Sequence, residues 1–356
     1  MPELPVKNYG KFAIHDTGAP AGKDDYITLV LVHGYAWHSG VFNRLVPFVP
    51  KYGLRLVLVN RRDYPSAAPY TEEELDLLKA GSAQTPEAAE SVREYIKGRG
   101  KDLYEFLELF IAQENVPKKS GDTGGIIVGG WSFGTIFITA LLANGSSFAQ
   151  GKVDIPSYLR CILNYDPPYH VLGYPTLEGG YNPLVDDSVT REEGAKQFPR
   201  WVSGYYAHGD SPATLELRNP QPHPPSTIET MAPEDIHSAL YPGPGNPGGS
   251  DALLMNIGIQ HGAFADSRKK AYLLGPEGED KSGWDDVKLR HVWCDQTVWE
   301  APYAMYCLKD DAKAAQKDGK RFRSHEIVRM EKANHFIHWD EPERTLATLL
   351  GVDLVA

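Results

Sequence analysis

Gly125-Ile-Ile-Val-Gly-Gly-Trp-Ser-Phe-Gly-Thr135 is the stretch from which the rest of the chain can be read. A short apolar run, Gly125–Gly129, leads into Gly130-Trp131-Ser132-Phe133-Gly134, a G-x-S-x-G sequence, and a helical stretch, Thr135–Leu142, follows at once. Between a strand and a helix this motif makes a tight turn that side chains at Gly130 and Gly134 would crowd. The serine is forced into a strained backbone conformation, its hydroxyl exposed at the sheet edge above the helix N-terminus. Alone, G-x-S-x-G is weak, because glycine and serine are common in loops. The flanking strand and helix are what point to a nucleophilic Ser132 rather than a packing turn.

The neighbouring text supports a sheet around this motif. Ile27–Val32 (ITLVLV), Leu54–Val59 (LRLVLV) and Cys161–Asn164 (CILN) are continuous apolar runs, the pattern of strands buried on both faces of a parallel sheet. Helical stretches at Val41–Tyr52 and Thr85–Asn115 alternate with them, which predicts a doubly wound α/β fold with right-handed crossings. From Pro167 to Asp285 the register breaks into text rich in Pro, Gly, Tyr and Asn, with helical patches at Arg191–Tyr206 and Ser250–Gln260. A structureless loop of that length is improbable inside a domain, so an inserted, largely helical cap is expected. Regular elements resume at Lys288–Cys294, Ala301–Ala314, Glu326–Met330 and Glu341–Leu350. The division expected is a core of residues 1–166 and 286–356 with a cap of residues 167–285.

Two further segments carry chemistry. His33-Gly34-Tyr35-Ala36-Trp37 follows the strand at 27–32, where such folds place the first half of an oxyanion hole. The Tyr35 backbone N–H would supply it and the N–H of Phe133 the second half, while His33 holds the loop through hydrogen bonds. Near the C-terminus, Ala333-Asn-His-Phe-Ile-His-Trp-Asp-Glu-Pro-Glu343 offers the general base: His335 lies in the loop, and His338 is nearer the helix. The pair could be read as metal ligands, but no H-E-x-x-H accompanies it. Neither a phosphate-loop nor a dinucleotide glycine pattern is present.

With HGYAW, Asn60-Arg-Arg-Asp-Tyr-Pro-Ser66, GWSFG and NHFIHWDEPE in that order, the chain resembles the α/β-hydrolase superfamily on both sides of the insertion. The resemblance implies an eight-stranded, mostly parallel sheet with a lid over the carboxyl ends of the strands. It implies Ser132 as nucleophile, His335 as base, and Tyr35 and Phe133 as oxyanion donors. Asn334 departs from the glycine that often precedes the histidine in relatives; asparagine tolerates left-handed backbone angles, so the turn can survive. The triad acid usually follows the seventh strand in text like W-G-x-x-D, matched here by Trp293-Cys-Asp-Gln-Thr297. That puts Thr297 at the acid position, where it cannot serve, and Asp295 two residues early. Asp166, ending the sixth strand, is the other candidate. Family habit favours Asp295, and the residues leave both open.

Composition sets the outer bounds. The 356 residues carry a net charge of −11, which disfavours a nucleic-acid groove or an anionic membrane surface, and no apolar run is long enough to span a bilayer. Met1–Gly10 lacks the basic-then-apolar pattern of a secretory signal, and three cysteines are too few for a disulfide scaffold, so a cytoplasmic protein with reduced thiols is expected. The cap is rich in tyrosine and tryptophan. With Trp37, Trp131 and Tyr169 they suggest an aromatic-walled pocket for a hydrophobic or aromatic small molecule. The function expected is hydrolysis of a carboxylic ester or lactone through an acyl-enzyme on Ser132, with no metal or organic cofactor. The same fold could host a lyase, a cofactor-free oxygenase, an acyltransferase or a ligand receptor with a vestigial triad. No signal for an oligomeric state is present.

Overall fold

The apolar runs lie at the centre of an eight-stranded sheet in the computed structural model, which describes residues 4–149, 151–280 and 282–354. Residues 1–3 of the segment read for a leader are outside that set. An N-terminal hairpin, β1 (Val6–Tyr9) and β2 (Phe12–Asp16), opens the sheet. Its two-residue turn puts Gly10 at φ +58, a conformation that suits glycine. Then come β3 (Thr28–Val32), β4 (Arg55–Asn60), β5 (Ile126–Trp131), β6 (Leu159–Tyr165), β7 (Lys288–Cys294) and β8 (His325–Met330). The order across the sheet is β1-β2-β4-β3-β5-β6-β7-β8. The first two strands run antiparallel and every later pairing is parallel. Every residue of β3, β4 and β5 is buried, as two covered faces require. The hairpin had not been legible as strands, because VKNY and FAIHD are short and half polar.

Helices follow the expected alternation with informative differences. Val41–Tyr52, read as one α-helix, is a 3₁₀ run over Ser39–Phe48 that ends in a single turn, α1 (Val49–Tyr52). Pro47 and Pro50 remove two amide donors from it, which explains the tighter form. Helix α2 (Glu72–Ala80) was not anticipated, although Thr71 and Glu74 form a reciprocal capping box that the T-x-x-E spacing spells out. Helix α3 (Pro86–Glu114) begins with its N-cap Thr85 and a first-turn proline, and stops at Asn115 with φ +49. Helix α4 (Thr135–Asn144) is buried at every position behind β5.

Between β6 and β7 the chain forms α5 (Arg191–Val202), the short α6 (Thr227–Thr230) and α7 (Pro233–Ala239), then α8 (Ser250–Gln260) and α9 (Ala263–Tyr272). A long irregular stretch separates α5 from α6, whereas only Met231 and Ala232 lie between α6 and α7. Helices α8 and α9, expected in the cap, pack instead against α2, α3 and α4 on the flank of the sheet. Their Leu254, Ile257, Phe264 and Tyr272 join the same buried core as α3 and α4. Helix α10 (Glu300–Lys317) follows β7, and α11 (Ile337–Asp340) and α12 (Pro342–Leu350) close the fold. At the hairpin edge the buried Arg55 donates to Asp16 through Nε at 2.8 Å and also reaches Glu114. Among the described residues no helix is long and apolar enough to cross a membrane, and Cys161, Cys294 and Cys307 are free thiols.

Candidate active site

Ser132 sits at the carboxyl end of β5 with φ +53, a left-handed angle that a β-carbon makes costly. Two glycines hold it there. A β-carbon on Gly130 would lie 2.6 Å from the Gly134 carbonyl, and one on Gly134 would lie 2.6 Å from the carbonyl oxygens of Val32 and His33. The Thr135 hydroxyl donates to the Gly130 carbonyl at 3.0 Å and closes the turn. A β-carbon on Gly34 would stand 3.1 Å from the β-carbon of Ser132, so the loop after β3 lies directly against the elbow.

His335 comes from the loop after β8 and is 3% exposed. Its Nδ1 is 2.6 Å from Oδ2 of Asp166, which leaves Nε2 as the ring atom free to take a proton. Trp131 fixes the ring from beneath: its indole N–H donates to the His335 carbonyl at 3.0 Å, and the two ring centres are 4.9 Å apart. Asn334 is fully buried, donates to the Ser203 carbonyl and to the Thr227 hydroxyl, both at 2.7 Å, and accepts the Phe336 N–H at 3.0 Å. The loop carrying His335 is thus tied to two residues of the stretch between β6 and β7.

Of the two candidate acids, Asp166 is the one that meets the histidine. It directly follows β6 at φ +47 and is fully buried. Oδ1 accepts the Cys294 N–H at 2.8 Å, and Oδ2 accepts the Thr297 hydroxyl at 2.8 Å as well as facing His335. Asp295, the residue favoured by family habit, turns elsewhere: its carboxylate accepts from Arg329 of β8 at 2.8 and 3.1 Å and from the Ala333 N–H at 3.4 Å. A neighbouring guanidinium and the amide that opens the His335 loop hold it as a strut. Thr297, ruled out as an acid by its chemistry, supports the acid through its hydroxyl.

His33 and His338 are both fully buried, and burial pushes both well below the usual imidazole range, with the nearby guanidinium of Arg61 adding to the effect at His33. Nδ1 of His33 donates to the Gly34 carbonyl at 3.0 Å and its Nε2 accepts the Arg61 backbone N–H at 3.1 Å. His338 meets the Tyr165 hydroxyl at 3.1 Å and packs on Trp131 and Phe336. The aromatic expectations need correction. Trp37 and Trp131 are 6% and 1% exposed, and their rings are committed to packing, the first on Phe336, the second on Phe42, Phe336 and the two histidines. Tyr169 is half-buried and stacks on Trp299 with ring centres 5.2 Å apart. Tyr35 lies edge-on to Phe133, 5.6 Å between centres, and its hydroxyl donates to the Gly245 carbonyl.

A mostly parallel sheet with a serine at the β5 elbow, a histidine after β8 and an interrupting insertion after β6 defines an α/β hydrolase. The chain belongs to the alpha/beta hydrolase family, whose profile matches residues 29–348. Among solved structures it is similar to wild-type Cfl2 from Burkholderia cenocepacia, at 12% identity over 97% of this chain and 93% of that one, with a TM-score of 0.52. Epoxide hydrolase A from Mycobacterium thermoresistibile is 12% identical over 100% of both chains, with a TM-score of 0.48. Carboxylesterase CesB from Bacillus subtilis is 13% identical over 99% of this chain and 91% of its own, with a TM-score of 0.44. At such identity the likeness to Cfl2 concerns the fold. No curated protein sequence matches the chain.

Proposed function

We propose that the protein is a serine hydrolase that cleaves a carboxylic ester or lactone of a hydrophobic or aromatic small molecule, through an acyl-enzyme on Ser132. The observation that carries this reading is the placement of His335, one ring nitrogen on a buried carboxylate at 2.6 Å, in a loop packed on the residue next to the serine. In the mechanism Ser132 Oγ attacks the carbonyl while His335 Nε2 takes its proton. Asp166 holds the ring in that tautomer and offsets the imidazolium charge. The N–H groups of Tyr35 and Phe133 receive the developing oxyanion. His335 then protonates the leaving alcohol and activates the water that releases the acid.

Chemistry at the elbow supports acyl substrates over epoxides. A serine that attacks an sp³ carbon forms an ether, which the same histidine and water cannot reopen. Attack on a carbonyl forms an ester, which they can. The half-buried rings of Tyr35 and Tyr169 support an apolar substrate group, and three free thiols support a reducing, cytoplasmic setting. The test is intact-mass labelling with a fluorophosphonate. Rapid single labelling of the wild type, lost in Ser132→Ala, is the expected result; a folded wild type that is not labelled, or Ser132→Ala with near-native ester turnover, rules the reading out.

A further inference from the structure

The oxyanion loop is held by an ion pair that the reaction itself does not use. Arg61, directly after β4, is fully buried, and Asp251, in the first turn of α8, is 2% exposed. They meet in a two-point fork, Nη1 to Oδ1 at 2.8 Å and Nη2 to Oδ2 at 2.6 Å. The same guanidinium donates to the Gly34 carbonyl at 3.0 Å and to the His33 carbonyl at 3.3 Å. Tyr64 completes the set: its hydroxyl donates to Asp251 at 2.6 Å and accepts the Ala36 N–H at 3.1 Å. Ala36 stands at φ +62, a strained angle for a residue with a β-carbon.

Peptide geometry gives this arrangement a consequence. In a trans peptide the carbonyl and the following N–H point in opposite directions. The Gly34 carbonyl is drawn toward Arg61 and His33 by two donors, each at 3.0 Å. The N–H of Tyr35, in the same peptide plane, is therefore turned away from them, and it is the N–H assigned above to the oxyanion. A buried ion pair contributes little net stability, because desolvation offsets most of its attraction. Fixing a dipole before the reaction begins is a use that suits it.

We propose that Arg61, Asp251 and Tyr64 are positioning residues that preset the oxyanion hole, and that the segment from Ala239 to Asp251 assembles it. This segment holds the loop from outside as well. The His38 N–H donates to the Ala239 carbonyl at 2.9 Å, the Tyr241 N–H to the Ala36 carbonyl at 2.7 Å, and the Tyr35 hydroxyl to Gly245. The oxyanion donor is thus in place only when the end of the cap is docked. The proposal rests on the serine-hydrolase reading.

The experiment compares wild type with Arg61→Met/Asp251→Leu, which removes both charges together and strands neither. Each is assayed for kcat and KM on p-nitrophenyl butyrate, for inhibition by phenylboronic acid, which forms a tetrahedral adduct on the serine, and for its melting temperature. Removal of an oxyanion donor costs about 10²–10³ in kcat, so misdirecting one is expected to cost about 10- to 100-fold. KM should stay near wild type, and boronate affinity should fall with kcat. A folded double variant that keeps wild-type kcat and boronate affinity overturns the proposal, as does a loss confined to KM. Should the double variant not fold, Tyr64→Phe takes its place with the same readouts, and a kcat and boronate affinity unchanged there overturn it equally. Fluorophosphonate labelling of the wild type separates the two levels: labelling at Ser132 with an unaffected variant removes the clamp alone, while no labelling removes the hydrolase reading and the clamp with it.

Discussion

Asp166 reaches His335 from a left-handed backbone angle, and its position carries a specific electrostatic load. Its carboxylate is fully buried and accepts from a backbone amide and from Thr297 besides facing the histidine. Asp166→Asn keeps the shape but offers an amide in place of an acceptor, which disorders the tautomer; a loss of roughly 10³–10⁴ in kcat is expected. Asp295→Asn disturbs only the strut to Arg329 and should stay within about threefold of wild type, since partly exposed ion pairs are weak. Thr297→Val should fall between the two, about tenfold down, as befits one hydrogen bond to a charged group. Steady-state kinetics of the three variants on one ester, at one pH, decides the assignment.

The turns that present the proposed catalytic groups are rigid for different reasons. At the elbow the cause is steric: Gly134→Ala would drive a β-carbon into the carbonyl oxygens of Val32, the last residue of β3, and His33, the first of the loop after it. We expect that variant to unfold or to lose activity together with stability, read by chemical denaturation alongside ester turnover. In the His335 loop the cause is polar. Asn334→Ala removes the donor that ties the loop to Ser203 and leaves the Phe336 N–H without its side-chain acceptor, and one buried group left short of a partner costs about 1–3 kcal/mol. Urea unfolding should show that loss, and kcat should fall further than KM rises, because the histidine loop loses its brace while the pocket keeps its walls. The 3₁₀ run at Ser39–Phe48 owes its form to Pro47, which lacks the amide donor a regular helix needs.

Two buried carboxyl groups set opposite pH responses for the whole molecule. Glu300, at the start of α10, is 5% exposed, and burial pushes its carboxyl from 4.5 up to about 7, partly countered by the Asn182 amide. The group that also faces it, His170 at 3.9 Å, is kept neutral by burial, which lowers it to about 4. Between the ordinary carboxyl value and about 7 the folded state keeps a proton that the unfolded chain has released, so stability falls as pH rises through that window. Glu300→Gln removes this titration and should gain up to about 3 kcal/mol over wild type between pH 5 and pH 8, measured as urea midpoints. Asp16 behaves the other way. Burial alone would raise it, but the hydrogen bonds from Arg55 and the Gly18 N–H outweigh that and hold it below its ordinary value. Its contribution is complete above the carboxylate range and is lost as pH falls through the lowered value.

The parallel strands and the elbow were legible because their causes are local. Continuous apolar runs mark strands covered on both faces, and glycines at 130 and 134 mark a turn that admits nothing larger. HGYAW and the histidine loop were legible by resemblance and by their order along the chain. What belonged to the fold alone were meetings between distant segments. Asp166 and Asp295 look alike in the text, each just past a strand end, and the adjacency of β6, β7 and β8 is what brings Asp166, Thr297 and His335 to one point. Arg61 and Asp251 are 190 positions apart, and Asn334 finds its partners at Ser203 and Thr227. A buried polar group must be satisfied, but the partner that satisfies it is set by which elements pack together, and packing has no local signature in the chain.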